Sequence, residues 1–245
     1  MRVTVLELPA RWGGVAQALA DVDARLQRGP RTELVLLPEA ALTGYVSPAG
    51  DFDLAGVAEP LSGSTAAGLR GLAMRHGVYL VGPLIEADAH RRYNTTLGFA
   101  PDGTQVLHYR KRHPWLPETW ATPGNLPYPL VRLGALTVVV AVCFDVHFLA
   151  EEAAAQLTAA DLLLFPSAWV DRDNTLPGHL VELATRFQLA VANANWSAGV
   201  VRVPGQGGSC ILDANGRALA GATPASGRAD ADVQPAADTD AERRR

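Results

Sequence analysis

Short apolar runs alternate along the chain with segments in which apolar residues recur every three or four positions. The apolar runs predict strands and lie at residues 2–8, 33–38, 78–82, 136–142, 161–166 and 189–194. The periodic segments predict helices and lie at residues 15–26, 64–76, 148–160 and 178–188. Strands within 93–111 and after residue 208 flank Asp-Gly and Asn-Gly turns and predict two hairpins. Because hairpins pair antiparallel and strand–helix–strand units pair parallel, we predict an α/β fold with mixed sheets.

Bulky apolar residues become scarce near the C-terminus. Between Ala222 and Arg245 the only one is Val233. Such a stretch buries too little surface to offset the entropy lost when its backbone is ordered. We therefore predict a single domain over residues 1–221, followed by an unpacked polar tail over residues 222–245.

Composition and charge exclude several functional classes. With 48% hydrophobic and 19% charged residues, the chain is too apolar to be intrinsically disordered. A net charge of −4, with no basic run before the last three residues, argues against a nucleic-acid binder. The longest apolar run, 136–144, is too short to span a membrane, and the first residues are typical of a strand rather than of a signal peptide. We expect a cytoplasmic protein without membrane or nucleic-acid partners.

Three reactive side chains follow predicted strands, which is where α/β proteins usually place their active sites. Glu39 follows an apolar strand, Lys111 ends a hairpin strand, and Cys143 lies where a buried strand turns into a helix. Each residue alone has a more ordinary interpretation as an exposed loop glutamate, an edge-strand lysine or an inert buried cysteine. Together they could supply a general base, an oxyanion donor and a nucleophile. Cys210, within an alternating apolar segment, is expected only to pack.

The residues around these three positions form a recognisable set. They read Leu-Pro-Glu-Ala-Ala-Leu-Thr-Gly-Tyr at 37–45, Tyr-Arg-Lys-Arg-His at 109–113 and Val-Cys-Phe-Asp at 142–145. Further matching segments lie at 122–125, 161–169, 192–196, 207–209 and 213–216. With these segments the chain resembles the nitrilase superfamily of carbon–nitrogen hydrolases over about residues 1–221. The resemblance implies a four-layer α-β-β-α sandwich with mixed sheets. It also implies hydrolysis of a non-peptide amide, nitrile or carbamoyl nitrogen without a metal or other cofactor.

The resemblance also implies catalytic roles. Glu39 would take the proton of the Cys143 thiol and later return it to the leaving amine. Lys111 and the backbone N–H of Phe144 would stabilise the tetrahedral oxyanion. The resulting thioester on Cys143 would then be hydrolysed by water.

Substrate-binding residues and an assembly are implied less directly. Glu118 matches the family's second acidic residue, which would position Lys111 or the substrate amide. Tyr45 and Trp169 are candidate pocket walls. Members of the family often use a C-terminal arm at a dimer interface, so we expect a homodimer or a higher homo-oligomer.

The chain departs from the family pattern at several places. His147 stands where members usually have arginine, and Leu149-Ala150-Glu151 replaces the usual Pro-Glu. The segment around residues 186–188 is two or three residues shorter than the common pattern. These departures affect the geometry of the loops that would bind substrate. The C-terminal segment is also a short polar one, which affects the expected oligomer. None of them touches the triad.

Several functions are therefore open. The leading prediction is an amidase that releases ammonia or an amine, with a nitrilase or an N-carbamoyl hydrolase as the alternative within the superfamily. A second alternative pairs Cys143 with His113 or His147 in an acyltransferase or thiol hydrolase. A third is a catalytically silent binding module with the same fold. The six histidines and two cysteines show no metal-site spacing, so no metal site is expected.

Overall fold

A computed structural model describes residues 1–9, 11–199 and 201–235. In these ranges the chain forms twelve strands and five α-helices. The strands are β1 (Arg2–Leu6), β2 (Leu34–Leu36), β3 (Tyr79–Asp88), β4 (Arg91–Phe99), β5 (Gln105–Arg110), β6 (Leu130–Leu133), β7 (Leu136–Val140), β8 (Leu162–Pro166), β9 (Ala190–Ala194), β10 (Cys210–Leu212), β11 (Ala218–Gly221) and β12 (Arg228–Asp232). The helices are α1 (Val15–Arg28), α2 (Ser64–His76), α3 (Val146–Glu152), α4 (Ala154–Ala159) and α5 (Leu176–Phe187).

The strands form two six-stranded sheets. The first has the order β12-β1-β2-β3-β4-β5, and the second has the order β11-β10-β9-β8-β7-β6. In each sheet three central strands pair parallel, namely β1–β2–β3 and β7–β8–β9. The outer strands pair antiparallel. The prediction of mixed sheets is therefore confirmed.

Side-chain alternation along β2 and its continuation explains the layers. Leu34 and Leu36 join the core cluster that contains the second sheet, whereas Val35 and Leu37 join a cluster with residues of α1 and α2. Because successive strand residues point to opposite faces, a strand buried on both sides must be apolar throughout. Helices α3, α4 and α5 contribute to the core of the second sheet. The α-β-β-α sandwich is confirmed, and no helix in the described residues is long and apolar enough to cross a bilayer.

The predicted boundary at residue 221 needs correction. Strand β12 lies beyond it and pairs antiparallel with β1, so residues 228–232 are part of the first sheet rather than of an unpacked tail. The small residues Ala229 and Ala231, together with Val233, are buried by the same two-residue alternation. A count of bulky residues misses such a strand, because alanine buries little area but fits closely between two sheets. The remainder of the predicted tail, residues 236–245, lies outside the described residues.

Other elements differ from prediction in their limits. The helix predicted over 148–160 is divided at Ala153 into α3 and α4, and the strand predicted over 78–82 continues to Asp88. Helix α2 spans its predicted residues, and its N-cap residue, Gly63, has no side chain to cap it. The carboxylate of Glu59 instead accepts hydrogen bonds from the first backbone N–H groups of the helix, at 2.7 and 2.8 Å.

Candidate active site

Cys143 lies on a sharp turn just beyond the end of β7. Its φ of +47° is in the left-handed region, which is strained for a residue other than glycine, and a 3₁₀ turn over Cys143–Asp145 leads on into α3. The buried carboxylate of Asp145 holds this turn by accepting the backbone N–H groups of Val142 (3.0 Å) and His113 (2.9 Å). It also accepts the hydroxyl of Tyr109 at 2.7 Å. These three bonds tie the nucleophile turn to the end of β5 in the other sheet.

Glu39 is buried just beyond β2, with 2% of its surface exposed. Its Oε1 accepts hydrogen bonds from Lys111 Nζ at 2.8 Å and from Asn94 Nδ2 at 2.7 Å. Its Oε2 accepts the backbone N–H of Ala168 at 2.8 Å, and the Cys143 thiol lies close enough to affect the pKa of this carboxylate. The structure therefore brings the carboxylate, the amine and the thiol into one site.

Lys111 follows β5 and lies between two carboxylates. Its Nζ donates to Glu39 at 2.8 Å and to Glu118 at 2.9 Å, and all three side chains are fully buried. Glu118 in turn accepts the hydroxyl of Tyr45 at 3.0 Å and the backbone N–H of Trp115 at 2.8 Å. Glu118 thus fixes the ammonium from the side opposite to Glu39.

Gly124, within the matching segment 122–125, fixes the backbone of this lysine. Its N–H donates to the carbonyl of Lys111 at 2.8 Å. A Cβ at this position would overlap the carbonyl of Arg110, so only glycine allows the two backbones to approach this closely. The loop therefore holds the end of β5 in register with the site.

Burial and neighbouring charges shift the pKa of each group in a way that matters for chemistry. Burial raises the pKa of Glu39; Lys111 lowers this pKa, and the Glu118 charge raises it further. Burial and the Glu39 charge also raise the pKa of the Cys143 thiol well above its usual value. Burial would lower the pKa of Lys111, but the two carboxylates outweigh it and raise that pKa well above its usual value. In the resting site the Cys143 thiol is therefore protonated, the Glu39 carboxylate is a stronger base than usual, and Lys111 is a permanent ammonium.

Cys143 opens into a cleft of about 180 Å³. Tyr45, Phe144 and Trp169, which the sequence predicted as substrate contacts, all line this cleft, together with Trp115 and His147. Glu118, the fourth predicted contact, does not line it and lies behind Lys111. The cleft is wide enough for a small molecule only.

The histidines proposed as alternative partners of Cys143 lie in different places. His113 hydrogen-bonds Glu152 at 3.1 Å and stacks on Phe148 with ring centroids 3.9 Å apart, and it does not line the cleft. His147 lines the cleft wall, where burial and the neighbouring His179 lower its pKa. Cys143 lies close to Glu39, whose charge raises the pKa of the thiol. This geometry favours the carboxylate as the base.

Sequence reasoning missed three contributors to the site. Asn94 donates to Glu39 and, at 3.2 Å, to Glu118, so it bridges the two carboxylates. Asp145 supports the nucleophile turn, and the backbone N–H of Ala168 binds Glu39. One signal could have found Asn94: it begins a run of polar residues, Asn94 to Thr96, in a strand that is buried from Tyr93 onward. The Ala168 N–H carries no signal in a sequence.

Cys210, the other cysteine, packs beside the core as predicted. Cys210 is partly buried against the main core cluster, and burial raises its pKa to about 11. No group of three or more potential metal ligands occurs within residues 1–9, 11–199 and 201–235. Cys210 does not line the cleft that Cys143 opens into.

Known amidases are similar to this chain in sequence. The chain is 28% identical over 225 residues to an (R)-stereoselective amidase of Pseudomonas sp., covering 89% of this chain and 80% of that protein. It is 26% identical over 178 residues to an omega-amidase of Xenopus tropicalis, which covers 68% of this chain and 62% of the relative.

Solved structures share the fold. An amidase variant from Nesterenkonia sp. AN1, in complex with acrylamide, superposes with a TM-score of 0.82 at 25% identity, covering 100% of this chain and 96% of that one. A carbon–nitrogen hydrolase superfamily protein of Xanthomonas campestris gives 0.81 at 24% identity, covering 100% and 93%.

A family model described as carbon-nitrogen hydrolase matches residues 4–240, and this range includes β12. The resemblance seen in the sequence is thereby confirmed, and with it the expectation of an amidase-like enzyme. The chain belongs to the carbon–nitrogen hydrolase family.

Proposed function

We propose that the protein is an amidase that hydrolyses small non-peptide amides through a thioester on Cys143. One observation carries the proposal: a buried ammonium, Lys111, lies between Glu39 and Glu118 beside a strained cysteine at the base of a small cleft. The amidase relatives, and the acrylamide bound to the Nesterenkonia amidase variant, support an amide as the substrate class.

In the first half-reaction Glu39 accepts the proton of the Cys143 thiol while Sγ attacks the carbonyl carbon. A C–S bond forms, and the carbonyl electron pair moves to oxygen. Lys111 and the backbone N–H of Phe144 stabilise this oxyanion, and one such donor is typically worth about 3 kcal/mol. Glu39 then gives its proton to the amide nitrogen, the C–N bond breaks, and ammonia or an amine leaves.

In the second half-reaction Glu39, again a carboxylate, takes a proton from water. The hydroxide forms a C–O bond with the thioester carbon, the C–S bond breaks, and the Cys143 sulfur regains its proton from Glu39. The carboxylic acid leaves the cleft. Water is the only co-reactant, so the proposal requires no metal or other cofactor.

Two features suit Glu39 to this double role. Its raised pKa makes it a stronger base than an exposed glutamate once it is ionised. Its two oxygens are held by Lys111 and Ala168, so the carboxylate cannot turn away between the steps. Glu118 acts through Lys111 and is therefore a positioning residue.

The direct test measures ammonia release from a panel of small amides, nitriles and N-carbamoyl compounds. We expect turnover of amides and its loss, by at least 1,000-fold, in Cys143→Ala, because the covalent pathway needs the sulfur. Cys210→Ala is the matched control and should keep its rate, because that thiol packs against the core cluster and does not line the cleft. Undiminished turnover in Cys143→Ala would refute the proposal, and turnover of nitriles alone would favour the nitrilase alternative.

The remaining alternatives separate in the same assay. A Cys–His enzyme should lose activity in His113→Ala or His147→Ala and keep it in Lys111→Ala. We expect instead that His113→Ala stays active and that Lys111→Ala is inactive. A silent binding module should release no ammonia and should alkylate slowly at Cys143. The predicted homodimer or higher homo-oligomer and the predicted cytoplasmic location stay predictions, which light scattering and cell fractionation would test.

A further inference from the structure

The cleft above Cys143 has an uneven charge distribution. No lysine or arginine is among the described residues that line it, and its one acidic residue is Asp171. The rest of the wall is largely aromatic and includes Tyr45, Trp115 and Trp169. The walls of the cleft therefore offer a ligand ring faces and a carboxylate, and no cationic side chain.

The buried charges below the cleft do not change this balance. Lys111 is the cation there, and both Glu39 and Glu118 already share it at 2.8 and 2.9 Å. With both carboxylates ionised, this group carries one excess negative charge. Lys111 can stabilise a transient oxyanion but has no spare charge for a second, permanent anion on the substrate.

Asp171 is held in its charged form. The backbone N–H groups of Thr175 (2.6 Å) and Asp173 (2.8 Å) donate to it, as does the Thr175 hydroxyl, and these bonds hold its pKa well below the usual value. Its Oδ2 also accepts Trp169 Nε1 at 3.2 Å. The charge is thus tied directly to one of the aromatic walls.

His147, the histidine that lines the cleft, adds no positive charge at neutral pH. Burial and His179 both lower the pKa of His147. Behind His147, Arg186 shares a surface depression with Glu151 and Glu182. With one arginine and two glutamates, this depression carries a net charge of −1, as the buried group around Lys111 does.

From this distribution, and resting on the amidase function proposed above, we propose that the cleft selects amides with a neutral or ammonium-bearing acyl group and rejects those that carry a carboxylate. A carboxylate would lose its hydration in the cleft without gaining a cationic partner. An ammonium group would gain Asp171 and the faces of aromatic rings.

Two substrate pairs of matched shape test this selectivity. Succinamide and succinamate differ by one charge, and β-alaninamide and butanamide differ by an ammonium in place of a methyl group. After correction for the two amides of succinamide, we expect its kcat/KM to exceed that of succinamate by about tenfold or more. β-Alaninamide should be hydrolysed at least as well as butanamide. A kcat/KM for succinamate equal to or above that for succinamide would overturn the inference.

Variants locate the source of the selectivity. Asp171→Asn removes the negative charge of the cleft wall, and His147→Arg adds a cation without disturbing the hydrogen bonds of Asp171. Each variant should therefore lower the ratio of kcat/KM for succinamide to kcat/KM for succinamate. Asp173→Asn removes the same charge two residues away, outside the cleft lining, and should leave the preference unchanged. If His147→Arg and Asp171→Asn both keep the full preference, the cleft charge does not set it.

A binding measurement separates this inference from the proposed amidase function. Alkylation of Cys143 by iodoacetamide, followed by mass spectrometry, reports whether the cleft is occupied. Protection by succinamide and not by succinamate supports the charge selection even if neither compound is hydrolysed, in which case only the proposed function fails. Equal protection by both compounds, or protection by neither, overturns the charge selection.

Discussion

Replacing Glu118 by glutamine tests how the site uses its second carboxylate. Four donors converge on the two oxygens of Glu118, namely Lys111 Nζ, the Trp115 N–H, the Tyr45 hydroxyl and Asn94 Nδ2, at 2.8 to 3.2 Å. In glutamine one of these oxygens becomes an NH₂ group, which cannot accept. Two donors on that side therefore lose their acceptor, and Lys111 keeps only Glu39 as a counterion.

The expected magnitude follows from these contacts. A hydrogen bond to a charged group contributes about 1.5–3 kcal/mol. If that amount is lost from the positioning of Lys111 in the transition state, kcat falls by about 10- to 150-fold, since about 1.4 kcal/mol corresponds to a factor of ten. The loss should appear in kcat rather than KM, because Glu118 does not line the cleft. Each orphaned buried donor should also lower the free energy of unfolding by about 1–3 kcal/mol.

The pH dependence gives a second and independent readout. Glu39 must be ionised to act as a base, so activity rises as the pH rises through the pKa of Glu39. Burial is the largest cause that raises this pKa, and the Glu118 charge raises it further. Removing the Glu118 charge lowers the pKa of Glu39, so the acid limb of the pH–kcat/KM profile should move to lower pH in Glu118→Gln.

Steady-state ammonia release over a pH series, together with denaturant unfolding, measures both effects. Glu151→Gln makes the same chemical change at an exposed position and should change neither rate nor profile. A Glu118→Gln enzyme with kcat within twofold of the wild type, or with its acid limb unmoved, would refute the assigned role of this carboxylate.

Three further predictions concern the frame of the site. Asp145→Asn places an NH₂ group opposite at least one of the three donors that Asp145 binds. It should therefore lower the free energy of unfolding, measured in urea, by about 1–3 kcal/mol. It should also slow the labelling of Cys143 by iodoacetamide. Leu164→Ala, in the central strand β8 with 0% exposure, should cost about 2–5 kcal/mol in the same assay; a change below 1 kcal/mol would contradict its tight packing. Truncation after Gly227 removes β12 and leaves β1 as an open edge, so gel filtration should show aggregation; a well-behaved monodisperse product would count against the need for this strand.

Much of the fold follows from local pattern in the sequence. The period-two and period-3.6 arrangements of apolar residues reflect which faces are buried, and burial is the main source of stability, so helix α2 and the central strands were predictable. The same reasoning failed at β12, because its buried residues are mainly alanines whose burial depends on the closeness of a neighbouring sheet. The break at Ala153 between α3 and α4 likewise has no counterpart in the composition of that segment.

Part of the candidate site likewise follows from the sequence, and part follows only from the tertiary structure. The sequence by itself determined the three reactive residues and their places at strand ends, because a charged or nucleophilic side chain after an apolar run is visible in a single chain. Only the tertiary structure decided that Lys111 is shared by Glu39 and Glu118, that Asn94 bridges those carboxylates, and that the Ala168 N–H fixes the base. These contacts join residues up to 129 positions apart, and hydrogen bonds act over about 3 Å, so they exist only once two sheets have packed face to face.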